Sequence, residues 1–284
     1  MFLYPHLKKM CGISLRCRRF NDARQELTRH RIRLVGVVCA LLFASSAIAG
    51  ENTIEGGAIY YDLSDGYQST KGEYLRARIE SSSSDAWLLD ITNLDRFGDD
   101  GTQISVGNRH IFTDRVYSQF FVAGSAGGFF WPRFRTDGSI SMKWLANKSF
   151  VTTIGGGYFD AKDVHEDLWG YVEASYYFDR PVVIQGGMQV NVSDPGSVSS
   201  TSGYVAASYV KNKSRIASVR LGVGNQAYQA VAVNNFQVDF PFHSIRMTWR
   251  EWVGKTWGIN LAAEHYVSDV YDQNGIELGF FKEF

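Results

Sequence analysis

Hydrophobic and polar residues alternate along most of the chain after residue 50, as they do in β-strands with one apolar and one polar face. In the segment 74–80, Leu75, Ala77 and Ile79 alternate with tyrosine, arginine and glutamate. The segment 182–193 shows the same period of two over its whole length. No segment after residue 50 has the 3.6-residue spacing of an amphipathic helix. The pattern therefore predicts an all-β chain.

Segments with this alternation number about 14, within a range of 12 to 16. They lie at 53–63, 73–80, 86–94, 102–112, 115–124, 133–145, 149–159, 167–178, 182–193, 202–210, 214–225, 236–250, 255–267 and 275–284. Most are close to the 9–11 residues that a tilted strand needs to cross the hydrocarbon layer of a membrane.

The predicted connections alternate in length along the chain. Those at 64–72, 95–101, 125–132, 160–166, 194–201, 226–235 and 268–274 have seven to ten residues, and the others have two to five. Long outer loops and short periplasmic turns are typical of outer-membrane barrels. We therefore expect a transmembrane, up-and-down, antiparallel β-barrel whose N- and C-termini are both periplasmic.

Aromatic residues and the absence of long apolar runs agree with this class. Phe, Trp and Tyr make up 14% of the chain, and most of the seven tryptophans lie near a predicted strand end. Amphipathic rings form girdles at both interfaces of a membrane barrel, although aromatics are also common in strands generally. No run of 18 or more apolar residues follows residue 50, which argues against a helical membrane bundle.

The first 49 residues differ from the rest. A basic stretch precedes the apolar run 34–43, and Ala47-Ile48-Ala49 has the small-x-small form of a signal-peptidase site. We expect a signal peptide at 1–49, cleaved after Ala49, and one barrel domain at 50–284. The alternative is an N-terminal membrane anchor, but a run of ten residues is too short to span a bilayer.

Charge and cysteine content then exclude several functions. The first 49 residues hold nine of the 29 basic and two of the 29 acidic residues, so 20 basic and 27 acidic residues remain and the predicted mature chain has a net charge of −7. This argues against nucleic acid as a partner. Because Cys11, Cys17 and Cys39 are the only cysteines, the mature chain has no disulfide, catalytic thiol or cysteine-ligated zinc.

The last predicted strand ends on an aromatic residue. Glu277, Gly279 and Phe284 fit the C-terminal pattern by which outer-membrane barrels are recognised by the barrel-assembly machinery, and Phe280 shares the apolar face of the strand with Phe284. Lys282 departs from that pattern, because an apolar residue is usual there. We expect these four residues to form the assembly signal.

Together with the leader, three features resemble the YaiO family of outer-membrane β-barrels. They are the aromatic and acidic first strand at 58–66, the tyrosine-rich hairpin at 171–178 and the terminal Phe284. The resemblance extends over 52–284 and implies the same barrel fold. Relatives are encoded near exopolysaccharide synthesis and export genes, so it also implies a role in the envelope and partners among exopolysaccharide synthesis or export proteins.

Candidate catalytic groups are few. His243 and Ser244 are neighbours in one strand and point to opposite faces, so they cannot pair as base and nucleophile. His110 and His265 have no visible partner, and the acidic loop at 160–167 around His165 lacks the spacing of a calcium loop. We expect no enzyme activity, cofactor or metal.

Charged residues of the predicted strands fall mainly on the polar face. We expect this face to be the inner one, because an arginine or lysine that faces lipid at the membrane midplane destabilises the barrel by roughly 2–4 kcal/mol. The inward charges are Arg76, Arg78, Glu80, Asp90, Arg109, Lys143, Glu173, Arg220, Arg246, Arg250, Glu264 and Glu277. Either they pair and close the bore, or they line a narrow polar channel.

The main hypothesis is a non-enzymatic outer-membrane channel or export component for a polar saccharide or a small hydrophilic solute. In it, the arginines at 76, 78, 109, 220, 246 and 250 set selectivity. The alternatives are a structural or adhesive barrel acting through its outer loops, such as 160–166, and a lipid-modifying barrel enzyme. Expected partners are outer-membrane lipid, lipopolysaccharide and the barrel-assembly machinery.

Overall fold

The computed structural model describes residues 52–233 and 235–284, so the predicted signal peptide at 1–49 lies outside the described residues. Fourteen strands follow one another along the chain. They are β1 (Thr53–Leu63), β2 (Thr70–Glu80), β3 (Asp85–Arg96), β4 (Asp99–Ile111), β5 (Val116–Gly127), β6 (Phe134–Trp144), β7 (Phe150–Asp160), β8 (Glu166–Tyr177), β9 (Val182–Asp194), β10 (Val198–Lys211), β11 (Arg215–Ala232), β12 (Asn235–Trp252), β13 (Trp257–Ser268) and β14 (Asp272–Glu283). No helix in this part of the chain has the length and hydropathy needed to cross a membrane.

The strands form one closed antiparallel barrel in which each strand pairs with its neighbours in sequence. Pairing of β1 with β14, from Thr53 opposite Glu283 to Leu63 opposite Gln273, closes the sheet. Closure matters because an open sheet edge cannot satisfy its N–H and C=O groups inside a bilayer. The predicted class and strand number are confirmed.

The predicted difference in connection length is wrong. The connections after β3, β9 and β13 are only 97–98, 195–197 and 269–271, as short as those at the other end. Phe97 and Gly98 have φ angles of 54° and 79°, the two positive values that a tight two-residue hairpin needs. Polar residues near these strand ends resemble loop sequence, but their backbones continue the hydrogen-bonded pairing of the strands. Connection length therefore does not show which rim of the barrel faces the periplasm.

Both described ends of the barrel lie together. Because the number of strands is even, β1 begins and β14 ends at the same rim, where Thr53 pairs with Glu283. Their placement on the periplasmic side stays a prediction.

Successive side chains of each strand point to opposite sides of the wall, and contacts identify the inner side. Glu55 of β1 and Arg250 of β12 are separated by two intervening strands, yet their Oε2 and Nη1 atoms are 3.0 Å apart. Such a contact crosses the concave interior. The other side carries exposed apolar residues such as Ile154, Leu168 and Ile276, each more than 60% exposed. This apolar surface suits the hydrocarbon layer.

Two inner-face glycines on β14 make room for tyrosine rings. A Cβ added to Gly275 would lie 1.7 Å from the ring of Tyr61, and one added to Gly279 would lie 2.2 Å from Tyr74 Oη. The rings therefore lie close against the wall of β14. Larger residues at either glycine would push a ring toward the barrel axis.

Four aromatic side chains from different connections meet at the rim opposite the termini, and we call them the aromatic cap: Tyr67, Phe97, Phe129 and Tyr271. The ring of Tyr67 lies 5.5 Å from that of Phe97 and 5.6 Å from that of Tyr271. Phe97 also stacks on Phe129 at 6.3 Å. These centroid distances are those of favourable aromatic pairs. The cap narrows this mouth of the barrel.

The connection 128–133 also turns inward. Phe130 and Trp131 pack against a small buried cluster of Ile59, Tyr74 and Leu94 on the first three strands. Trp131 is fixed further by a hydrogen bond from its Nε1 to the carbonyl of Gly101, at 3.1 Å. This connection therefore belongs to the packed mouth.

Phe281 and Phe280 are neighbours on β14 with opposite surroundings, which gives a matched test of the inner face. Phe281 is fully buried, its ring 5.1 Å from that of Trp252, whereas Phe280 is 46% exposed on the outer face. We expect Phe281→Ala to lower the free energy of unfolding by about 3–5 kcal/mol, as loss of a buried ring does. Phe280→Ala should cost much less. Urea unfolding in lipid vesicles measures both, and equal losses would contradict the assigned faces.

Candidate functional site

Charged side chains on the inner face form a network across the seam where β1 meets β14. We call it the seam network, and its members are Glu55, Arg76, Asp90, Arg246, Arg250, Glu264 and Glu277. It involves strands on both sides of the closure, from β12 through β14 to β3. Inward charges in this half of the barrel are therefore largely paired.

Glu55 joins the two sides of the seam. Its carboxylate lies 3.7 Å from Arg76 Nη1 and 3.0 Å from Arg250 Nη1. Arg76 also donates to Asp90 through Nε, at 2.8 Å. Arg250 donates to Asn260 Oδ1 at 3.2 Å, and its guanidinium lies 3.5 Å above the ring of Phe281.

Arg246 is the most heavily bonded cation of the network. Its two terminal nitrogens each lie 2.6 Å from a carboxylate, one from Glu264 and one from Glu277. Tyr61 Oη donates to the same Glu277 and accepts from Arg246 at 3.5 Å. Because charge-assisted bonds of this length are strong, the Arg246 guanidinium is held against the wall. Arg78 is likewise paired, 2.6 Å from Glu80.

Three inward cations in the other half of the barrel have no carboxylate within ion-pair distance among the described residues. Arg220 is exposed, and its guanidinium lies 3.5 Å above the ring of Tyr204, whose hydroxyl donates to Glu173 at 2.6 Å. Arg109 and Lys143 lie 5.3 and 5.6 Å from the ring of Tyr117. The group next to each of these cations is an aromatic ring, which carries no net charge. No neighbouring carboxylate therefore neutralises them.

Solvent reaches the inner wall. The Arg76 side chain, although it points inward and makes two ion pairs, is 44% accessible. Arg220 on β11 is exposed as well. Side chains thus leave open space inside the barrel, and the charges do not close it completely.

All predicted inward residues lie on the inner face, but they fall into two groups. Arg76, Arg78, Arg246 and Arg250 are tied to carboxylates, which argues against their acting as free charges. The inward positive charges without a carboxylate partner among the described residues are those at 109, 143 and 220, and of these three Arg220 is exposed while Arg109 and Lys143 are half-buried. The pairing of inward charges and an accessible inner wall, taken as alternatives in the sequence, occur together in one barrel: Arg76 is paired and accessible, and unpaired Arg220 lies opposite paired Arg246.

Glu55, Tyr61 and Tyr204 belong to the site, yet the sequence analysis did not select them. Glu55 and Tyr61 share the alternate positions of β1 that point inward, so alternation in the first strand would have found them. Their partners on β12 and β14 could not be predicted, because such contacts cross several strands. Tyr204 looks like any strand tyrosine until Arg220 is seen above it.

The predicted assembly-signal residues have different surroundings. Glu277 and Gly279 face inward, where Glu277 binds Arg246 and Gly279 makes room for Tyr74. Phe280 faces outward and stacks on Trp257 at 5.6 Å, and the backbone N–H of Phe284 donates to Asn52. Recognition by the assembly machinery stays a prediction for all four.

In the described residues, the side-chain hydrogen bonds of the histidines run to Asp85, Asp163 and Asn274 and not to a serine hydroxyl. His110 Nδ1 lies 2.7 Å from Asp85, and Ser82 donates to the other oxygen of that carboxylate at 3.0 Å. The carboxylate thus separates the hydroxyl from the imidazole, the wrong order for a base to activate serine. His265 bonds Asn274 at 2.8 Å, and His243 has Ser244 on the opposite face.

The acidic segment at 160–167 packs against the barrel through His165, although Asp163, Val164 and Glu166 are exposed. His165 is buried and stacks on Tyr228 with centroids 3.9 Å apart, and Phe236 packs on its edge. Asp163 accepts hydrogen bonds from Tyr228 Oη at 2.7 Å and from the His165 amide at 2.9 Å. The segment is fastened to the long β11–β12 hairpin, so deleting it would disturb the fold. The described residues contain no cluster of three or more metal-ligating side chains.

Asp163 makes this contact sensitive to pH. Burial alone would raise the pKa of its carboxyl, but the bonds from Tyr228 and His165 outweigh burial and lower the pKa. A lowered folded-state pKa means that the carboxylate contributes stability above the unfolded value of about 3.9 and loses it as pH falls through the folded value.

We therefore expect Asp163→Asn to destabilise the barrel by about 1 kcal/mol at pH 7, with the difference from wild type vanishing in strong acid. Urea unfolding between pH 7 and 2.5 measures this. Asp269→Asn is the control, because Asp269 is an exposed connection residue whose side chain makes no hydrogen bond or ion pair with the described residues. A difference that is independent of pH would show that the carboxylate charge is irrelevant.

Comparison with solved structures defines the class of protein. A. baumannii OccAB1 matches 82% of this chain and 95% of its own (TM-score 0.51, 10% identity). A bacterial polysaccharide outer membrane secretin matches 84% and 100% (TM-score 0.51, 8% identity). The COG4313 outer membrane channel from Pseudomonas putida F1 matches 85% and 98% (TM-score 0.50, 8% identity). At these identities the likeness is one of fold, and the fold is that of an outer-membrane β-barrel.

The particular family follows from the sequence. The model of the YaiO membrane beta barrel domain matches residues 51–229, well over half of the chain, and the chain belongs to that family. The predicted resemblance and the outer-membrane location are thereby confirmed. No curated protein shows significant sequence similarity to the chain.

Proposed function

We propose that this chain is a non-enzymatic outer-membrane channel or export component that passes a polar saccharide or another small hydrophilic solute through its bore. The observation that carries the proposal is the accessible inner wall around Arg220, a positive charge that faces the interior and is not cancelled by a carboxylate. Strand alternation keeps this wall polar and the outer wall apolar. A barrel that served only as a structural element would have no need of an accessible charged bore.

Two observations weigh against the alternatives. An adhesive barrel acts through extended loops, and the connections between strands here have six residues or fewer. A lipid-modifying enzyme needs a hydroxyl and a base within hydrogen-bond reach. The contacts of His110 and His265 run to a carboxylate and an amide instead.

The proposal includes partners. The exposed apolar surface would contact outer-membrane lipid and lipopolysaccharide, and the C-terminal strand would be recognised by the barrel-assembly machinery. Export through the bore would require proteins that deliver the solute, such as exopolysaccharide synthesis or export proteins. One structural neighbour is described as a polysaccharide secretin, which gives a reason to begin with saccharides.

Single-channel recording in planar bilayers tests the proposal. The refolded mature chain should give discrete conductance steps, and Arg220→Glu should shift the reversal potential in a salt gradient toward cation preference, because the variant replaces an accessible positive charge with a negative one. Lys255→Glu makes the same change in a connection outside the strands and should shift it much less.

A closed aromatic cap would make wild type silent, and a second variant covers that case. Phe97→Ala removes the ring that contacts Tyr67, Phe129 and Tyr271, and should then produce conductance. Silence of both wild type and Phe97→Ala would contradict a channel. Conductance with identical selectivity in wild type and Arg220→Glu would contradict the role of Arg220.

A further inference from the structure

A cavity of about 600 Å³ lies inside the barrel beneath the aromatic cap. Phe97 and Phe129 of the cap line it, so one wall is aromatic. The size is within the 300–1,000 Å³ of typical ligand sites and is large enough for more than one sugar ring. The cavity is separate from the seam network, none of whose members lines it.

Uncharged hydrogen-bonding side chains also line the cavity. Gln189 and Asn191 project from β9, Ser200 and Ser202 from β10, and Gln103 from β4. Amides and hydroxyls that alternate with aromatic rings suit a ligand with many hydroxyl groups and apolar C–H faces. Aromatic rings offer a broad, slightly negative face against which such C–H groups pack.

Three buried side-chain atoms of residues that line the cavity have no hydrogen-bond partner: Arg96 Nε, Gln229 Oε1 and Asp167 Oδ1. Arg96 and Gln229 both donate to Tyr271 Oη, at 2.8 and 2.6 Å, so their side chains converge. Because Arg96 Nε and Gln229 Oε1 are closed to solvent, a ligand hydroxyl reaches them only when neighbouring side chains move. It can then accept from the first and donate to the second, which a carboxylate or an ammonium cannot do.

Charge favours a neutral ligand. Arg135, which lines the cavity, is held by Asp137 through two hydrogen bonds of 2.8 and 2.9 Å. The other charged lining residues are Arg96 and Asp167, of opposite sign. The cavity therefore has no excess charge that would select an anion or a cation.

We propose that this cavity is a binding subsite for a neutral carbohydrate chain, an inference that rests on the proposed function and names the class of solute. A chain moving along the bore would pass the subsite just inside the capped mouth. Arg96 and Gln229 hold a sugar hydroxyl there, while Phe97 and Phe129 pack on the ring faces. Removing either polar group removes one of the two hydrogen bonds to that hydroxyl, so binding should be sensitive to each.

Isothermal titration calorimetry on the mature barrel in detergent tests the subsite without requiring conductance. Maltohexaose and cellohexaose are the probes. At least one should bind wild type saturably, and Gln229→Leu and Arg96→Met should each weaken binding about tenfold, as loss of one buried hydrogen bond does. Gln119→Leu is the matched control, an inner-face amide of β5 outside the cavity, and should bind like wild type. Heat-modifiable migration in gels verifies that each variant is folded.

Each result separates this inference from the proposed function. Saturable binding lost in the two cavity variants but kept in Gln119→Leu supports the subsite. Binding that both cavity variants retain, or no binding of either hexasaccharide, overturns it even if the barrel conducts ions. Binding by a barrel that never conducts keeps the subsite and removes the channel.

Discussion

Pairing of the first strand with the last satisfies the backbone groups that two open sheet edges would leave without partners in a bilayer, and the rest of the structure depends on this closure. Once β1 lies against β14, the inward positions of both strands face one interior. Glu55 then reaches Arg250, and Tyr61 reaches Glu277, contacts that an open sheet would not bring together. The seam network thus reinforces, from inside, the junction on which the barrel relies. Each solvent-accessible ion pair contributes little to the stability of the barrel. The number of pairs and their hydrogen-bonded geometry therefore matter more than any single pair.

The alternation of apolar and polar residues along the strands keeps charged side chains away from lipid and places them in the bore. The inner wall there has two kinds of surface, one with paired and one with unpaired cations. On the seam side, arginines are matched by carboxylates and act as structure. On β4, β6 and β11, the cations Arg109, Lys143 and Arg220 lie near tyrosine rings and have no carboxylate partner among the described residues. The capped mouth adds a third surface, in which rings and amides dominate. A solute crossing the barrel would therefore meet both the cations near tyrosine rings and the aromatic cavity, and its direction of travel would set the order.

Much of this fold could be predicted from the alternation of apolar and polar residues alone. A repeat of two residues identifies the strands and also shows which side chains share a face. Every charge placed inward from the sequence lies on the inner face. The predicted long loops failed for a physical reason: serine, glycine and asparagine near the strand ends look like loop residues, yet their backbones continue the ladder, as Ser199 does opposite Val192. Contacts between residues far apart in the sequence could not be predicted from strand alternation. Examples are the packing of Tyr67, Phe97, Phe129 and Tyr271 in the aromatic cap and the burial of His165 against Tyr228.

Accessibility of the inner wall to water is the central claim, and thiol labelling tests it most directly. The chain after residue 50 contains no cysteine, so a single introduced thiol reports on one position. In proteoliposomes, Arg220→Cys should react rapidly with a charged, membrane-impermeant methanethiosulfonate, and Leu221→Cys, whose side chain lies on the outer face, should not react. Protection at 220, or equal labelling at both positions, would contradict a water-filled polar bore inside an apolar wall.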